Sequence, residues 1–204
     1  MQARRRKLKL TLPLTAHCRV GKSTVLNALL GDKFSQVSMK RTTAGINMFR
    51  VMPKEATTLS TAEHIHNVIS KDNESLRSEN DVSEKVFDIF VEESICKNMR
   101  NDTRLTLVDI PGINEADSSK KYKEYVQDKW NSFDCVVVVM DAIQGVNTQE
   151  QVELLEFVKQ NNQSLKAIPT IVLCNKMDNP SDPNTITLVE EVRAKAIEIL
   201  EMPV

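Results

Sequence analysis

Six apolar segments punctuate an otherwise polar chain: Lys9 to Thr15, Met48 to Met52, Val86 to Val91, Leu105 to Val108, Cys135 to Met140 and Ile168 to Cys174. Their β-branched and aromatic content reads as strands. Cys135 to Met140 and Ile168 to Cys174 have the unbroken apolarity of strands buried on both faces. Between them lie stretches of helical spacing. Ser23 to Leu30 places Val25, Leu26, Leu29 and Leu30 on one face and stops at Gly31. Lys120 to Trp130 follows a polar loop. Thr148 to Gln160 carries Val152, Leu155, Phe157 and Val158, and Thr187 to Leu200 carries Val189, Val192, Ala196, Ile197 and Leu200. Alternating strands and helices predict an α/β doubly wound sheet. The turn-like stretch Lys97 to Asp102 predicts an antiparallel hairpin between Val86–Val91 and Leu105–Val108. Pro13 removes one ladder donor from the first strand, so a local defect is expected there.

The first strand runs into Ala16-His17-Cys18-Arg19-Val20-Gly21-Lys22-Ser23, followed by Thr24 at the start of a helix. Strand, loop and helix N-terminus is the setting of a phosphate-binding loop, whose inward N–H groups and helix dipole favour an anion. Lys22 would reach the β- and γ-phosphates and the Ser23 hydroxyl would hold Mg²⁺. Ala16 stands where the strict pattern has glycine, and taken alone the string is also compatible with a chance Gly-Lys-Ser. Asp109-Ile110-Pro111-Gly112 follows another strand. Its carboxylate can support Mg²⁺ through water, and Gly112 can bring its N–H against a γ-phosphate. Asn175-Lys176-Met177-Asp178 ends a third strand. Asp178 can accept both N1–H and the 2-amino group of guanine, and is left unpaired by adenine. Lys176 would lay its stem along the base, and Asn175 would tie this loop to the phosphate loop. Each motif is weak alone. Their order, each at the carboxyl end of a predicted strand, carries the specificity.

Composition narrows the partners. The 204 residues are 41% hydrophobic and 27% charged with net charge −1, so no global field points to nucleic acid or membrane. No apolar run approaches the ~18 residues that suggest a spanning helix. Arg4, Arg5, Arg6, Lys7 and Lys9 form a local basic lead-in, read as solvated. Four scattered cysteines without a C-x-x-C pair suggest free thiols. His64 and His66 have no third ligand at metal-binding spacing.

With these motifs in order, the chain resembles the guanine-nucleotide-binding domain of P-loop GTPases, most closely the dynamin superfamily, over about Lys9 to Leu200. Leu105-Thr106-Leu107-Val108-Asp109-Ile110-Pro111-Gly112 is similar to the dynamin form of the third motif, and the 66 positions between Thr43 and Asp109 match dynamins better than small GTPases. The resemblance implies a three-layer P-loop NTPase fold: a mostly parallel sheet with one antiparallel hairpin strand, truncated before its last strand. Residues 1–204 would form one G domain lacking the final base-contacting motif, with a polar insertion at 54–85. Thr43 would be the switch threonine on Mg²⁺ and γ-phosphate, with Thr42 as the alternative. Thr43-Ala44-Gly45-Ile46 also resembles the T-x-G-I of the atlastin and guanylate-binding-protein branch. That branch carries an arginine at the position of Arg19, an internal finger completed by dimerisation.

Three departures qualify the match. Ile113 stands where small GTPases place a water-orienting glutamine, Cys18 where dynamins often have one, and Asn-Lys-Met-Asp where the atlastin branch has Arg-Asp. Arg19 therefore becomes the candidate for stabilising transition-state charge, the alternative being a solvent-facing loop residue. The expectation is Mg²⁺-assisted hydrolysis of GTP to GDP and phosphate by a dynamin-like switch or mechanochemical domain, with Lys22, Arg19 and Thr43 catalytic. A catalytically weak guanine-nucleotide-binding scaffold is the alternative. The implied partners are GTP and GDP and a nucleotide-dependent homodimer through the G domain, without nucleic acid. The implied place is cytoplasmic, with membrane association only through segments outside this chain.

Overall fold

Val136–Asp141 is buried along its whole length, which requires a neighbouring strand on each side and helices over both faces. The computed structural model supplies them. It describes residues 8–16, 20–34, 46–52, 86–92, 103–111 and 119–201. Among these the strands are β1 (Leu8–Ala16), β2 (Ile46–Met52), β3 (Val86–Glu92), β4 (Thr103–Asp109), β5 (Val136–Asp141) and β6 (Thr170–Asn175). The helices are α1 (Lys22–Leu30), α2 (Ser119–Lys129, continued by a 3-10 turn at Trp130–Ser132), α3 (Gln149–Ser164) and α4 (Pro183–Leu200). The sheet order is β3-β2-β4-β1-β5-β6.

Two cores lie on opposite faces of the sheet. On one, Val25, Leu26 and Leu30 of α1 pack with Phe34 against Leu14, Phe49, Leu107 and Val139. On the other, Tyr122, Val126 and Trp130, then Leu154, Leu155 and Val158, then Val192 and Ala196 cover Val108, Val138 and Met140. The result is the expected three-layer α/β fold with a mostly parallel sheet. Helix α1 stops at Gly31 in the left-handed region, as its sequence predicts. Leu29, expected on its apolar face, is instead 45% exposed, because α1 packs on the sheet through Val25, Leu26 and Leu30.

The antiparallel pair is real but differently made. β3 does not form a hairpin with β4; it pairs parallel with β2, and β2 pairs antiparallel with β4. Burial explains the order. β2 buries Ile46, Asn47, Phe49 and Val51, whereas β3 alternates exposed Asp88 and Phe90 with buried Ile89 and Val91, the pattern of an edge strand. Arg50 Nε donates to Asp88 Oδ1 across this pair at 2.6 Å.

The fully buried strand expected at Ile168 to Cys174 is also corrected. β6 starts at Thr170, pairs only with β5 among the described strands, and leaves Ile171 48% exposed. On that face α1 packs over β1 and β4, and β6 adds Leu173, not Ile171, to its core.

Pro13 produces the expected defect. The N–H of Thr11 donates to Asp134 Oδ2 (2.8 Å), and the Thr11 carbonyl accepts from Asp134 N (3.0 Å), so odd positions of β1 turn their peptide groups towards β5. Pro13 has no N–H to offer on that side, and pairing with β5 begins only at Leu14. Pairing with β4 runs unbroken from Leu8 to Leu14. The basic lead-in before residue 8, the 54–85 insertion and His64 and His66 lie outside the described residues. No described helix is long and apolar enough to cross a membrane.

Candidate nucleotide-binding site

Because β1, β4, β5 and β6 run parallel, their carboxyl ends meet at one edge of the sheet, and the antiparallel β2 brings its first residues there. Ala16, Asp109, Asp141 and Asn175 are the last residues of those four strands. This crevice is where open α/β sheets bind ligands.

Helix α1 opens into it at Gly21, whose φ of 86° and ψ of 33° are left-handed. No side chain caps its first turn and no acidic residue sits there. The other capped helices differ: Thr148 accepts from Gln151 N at α3 and Asp182 accepts from Asn184 N at α4. The orphan donors of α1 are thus left for an anion.

Lys22 is 9% exposed, and its ammonium is paired with Asp109 Oδ1, a carboxylate with no exposure at all. Lys22 is the cation that compensates this buried charge among the described residues. Asp109 Oδ2 has no hydrogen-bond partner. Ser23 is half-buried one residue further along α1.

Asn175 joins the two loops as its sequence position predicts. Its Nδ2 donates to the carbonyls of Val20 at 2.9 Å and Gly21 at 3.4 Å. A side chain at Gly21 would meet both a positive φ and the Asn175 amide directly. Gly21→Ala is expected to break this latch and weaken nucleotide binding roughly tenfold or more, since left-handed strain alone costs about 1–2 kcal/mol. Titration of a fluorescent guanine nucleotide checks this; unchanged affinity would show the latch to be dispensable.

Lys176 also takes a left-handed conformation, φ 63°, and its ammonium reaches Asp141 Oδ2 at 2.7 Å. Asp141 is 2% exposed, and its Oδ1 accepts from the N–H groups of Ile143 (2.9 Å) and Gln144 (3.4 Å). Asp141 belongs to none of the three sequence motifs, although a carboxylate closing a six-residue buried run was the available signal, since such a charge must be paired. Asp178 is exposed at the rim and bonds to nothing among the described residues.

Ala16 and Val20 are buried, and Thr24 is exposed on α1. The structure therefore brings together Ala16, Val20, Gly21, Lys22, Ser23, Asp109 and Asn175, with Lys176 and Asp178 on the adjoining turn. His17, Cys18, Arg19, Thr42, Thr43, Gly112 and Ile113 lie outside the described residues. Burial pushes the Cys135 and Cys174 thiols above the ordinary thiol range, so both stay protonated and unreactive near neutral pH. Both are free.

The Mg²⁺ implied by this site suits the residues present. The Ser23 hydroxyl and the Asp109 carboxylate are hard oxygen donors, and Asp109 Oδ2 is a buried acceptor still lacking a partner. No cluster of three or more His, Cys, Asp or Glu occurs among the described residues, so a metal here would draw most of its ligands from phosphate and water.

The curated relative GTPase Era of Aquifex aeolicus (strain VF5) is 25% identical over 188 residues, covering 90% of this chain and 46% of its own length. The chain thus spans about half the length of that relative. The crystal structure of a single-residue variant of Aquifex aeolicus Era bound to GDP·AlF4⁻ superposes with a TM-score of 0.57 at 21% identity, over 95% of this chain and 52% of that one. A chain of an oligomerised bacterial dynamin pair, described as sensing and tethering membranes, reaches 0.58 at 17% identity, over 95% of this chain and 37% of its own. These structural likenesses show the fold. The Elongation factor Tu GTP binding domain matches residues 9–203, almost the whole chain. The open helix terminus, the buried lysine–aspartate pair and the asparagine latch are therefore parts of a P-loop GTPase, and the chain belongs to the family of the elongation factor Tu GTP-binding domain.

Proposed function

We propose that this domain hydrolyses GTP to GDP and phosphate with Mg²⁺, as the switch or mechanochemical domain of a dynamin-like GTPase. The observation that carries the reading is the buried Lys22–Asp109 pair at the uncapped start of α1. A buried ammonium there is placed to turn from its carboxylate partner to the β- and γ-phosphates. Loop and first-turn N–H groups hold the same phosphates, and Ser23, Thr43 and (through water) Asp109 would hold Mg²⁺. When bound, Mg²⁺ neutralises charge on the β- and γ-phosphate oxygens. Arg19 stabilises charge developing on the transferred phosphoryl group. A water oxygen attacks the γ-phosphorus while the bond to the β–γ bridging oxygen breaks, leaving GDP and phosphate. Gly112 senses the γ-phosphate, and its loss releases the segments around Thr43 and Gly112. Asp178 reads guanine, and Lys176, anchored on Asp141, flanks the base.

The dynamin-like part is supported by the long interval between Thr43 and Asp109. It holds a whole extra strand, β3, which extends the sheet beyond β2. Dimerisation through the G domain, completing a site around Arg19, belongs to the same reading.

Equilibrium binding of fluorescent GTP, GDP and ATP analogues with and without Mg²⁺ tests the site. Guanine-selective, Mg²⁺-sensitive binding is expected, and equal affinity for ATP would overturn the reading. Hydrolysis per molecule should rise steeply with protein concentration; a slow rate independent of concentration would favour a binding scaffold instead.

A further inference from the structure

The geometry points to Asn47 as a positioning residue for Asp109, an inference that rests on the nucleotide site proposed above. Asn47 is the second residue of β2 and the direct antiparallel partner of Asp109. Directly opposed residues in such a pair share a face of the sheet, with Cβ atoms about 5 Å apart. Phe49 and Val51, two and four positions on, pack in the α1-side core with Leu107, which fixes the shared face as the one α1 covers. Asn47 is 2% exposed and its Nδ2 has no hydrogen-bond partner. Asp109 is fully buried and its Oδ2 has none either. A buried donor and a buried acceptor, both open, thus stand opposite one another at the carboxyl edge of the sheet.

Native structures rarely leave such groups unpaired, and a partner acquired in another state is one way to satisfy them. In this structure Lys22 holds Asp109 through Oδ1. Once Lys22 turns to phosphate, Asp109 loses its cation and needs both a new donor and a new counter-charge. Asn47 Nδ2 would then donate to the Asp109 carboxylate and hold its orientation, the role a supporting group plays for a residue that serves a metal through water. Asn47 is the second residue of β2, so the same hydrogen bond would tie the start of that strand to the end of β4.

Asn47→Leu, close in shape but unable to donate, and Asn47→Ala test this in the full chain. Mg²⁺ is titrated against bound fluorescent GDP, nucleotide affinity is measured in chelator, and thermal midpoints are taken without nucleotide. The Mg²⁺ concentration for half-saturation should rise about tenfold, the scale of lost support for a metal ligand. Affinity in chelator and the guanine-over-adenine ratio should hold. At least one variant should keep or exceed the native midpoint, because the amide it removes is unpaired in the free protein. An unchanged Mg²⁺ requirement overturns the inference, as does a lowered midpoint or failed folding in both variants, which would assign Asn47 to packing. Absence of guanine-nucleotide binding by the unaltered chain overturns the underlying reading, and this one with it.

Discussion

Lys22→Ala is expected to lower Mg²⁺·GTP affinity at least about a hundredfold and to destabilise the free domain by about 3–5 kcal/mol. The two effects have separate causes. Binding loses charge-assisted hydrogen bonds to phosphate, each worth about 1.5–3 kcal/mol, and roughly 1.4 kcal/mol is a decade of affinity. Stability falls because Asp109, fully buried, is left without the ammonium that now faces it. For a domain of this size the midpoint should drop on the order of 10 °C. The causes can be separated. Adding Asp109→Asn to Lys22→Ala removes the orphaned charge and should restore most of the stability while leaving GTP binding lost. Unchanged GTP affinity in Lys22→Ala would remove the phosphate site from this loop. A midpoint that fails to recover in the double variant would show that the pair's contribution is packing.

Asp178→Asn should reverse base preference without touching stability. Guanine offers two adjacent donors, which a carboxylate accepts and an amide cannot. Xanthine offers one donor and one carbonyl, and an asparagine side chain matches that pair. Guanine nucleotides should weaken by roughly a hundredfold or more and xanthine nucleotides become the better ligands. Asp178 is exposed and bonds to nothing among the described residues, so its thermal midpoint should not move. Competition of XTP and GTP against a fluorescent nucleotide measures this. Continued rejection of XTP would strip Asp178 of its base-reading role.

These two substitutions fall on motifs legible in the sequence for a physical reason. Gly-Lys-Ser, the aspartate of Asp109–Gly112 and Asn175–Asp178 each follow a strand whose apolarity makes it visible, and parallel strands carry such ends to one edge. The place of Asn175 at such an end is enough to expect it on the phosphate loop, and it bonds there. Strand neighbours were harder to read. Val86–Val91 and Leu105–Val108 are close in sequence and look like a hairpin, but adjacency in a sheet depends on burial across the whole layer. β2, which buries Ile46, Asn47, Phe49 and Val51, takes the inner place. Nor does an apolar run reveal whether a helix will cover it, so Ile171 reads as core and sits exposed. Asp141 bonds to Lys176, 35 residues away, and Asn47 stands opposite Asp109, 62 residues away, a kind of pairing that local periodicity does not encode.

The Asn175 latch has one further consequence, in the orientation of peptide planes. In a trans peptide the carbonyl and the next residue's N–H point in opposite directions. Asn175 draws the carbonyls of Val20 and Gly21 towards β6. The same rotation turns the N–H groups of Gly21 and Lys22 the opposite way, away from β6. The Asn175 side chain thereby couples the aim of those two amides to the strand end that carries Lys176 and Asp178, so a shift of either loop is felt by the other.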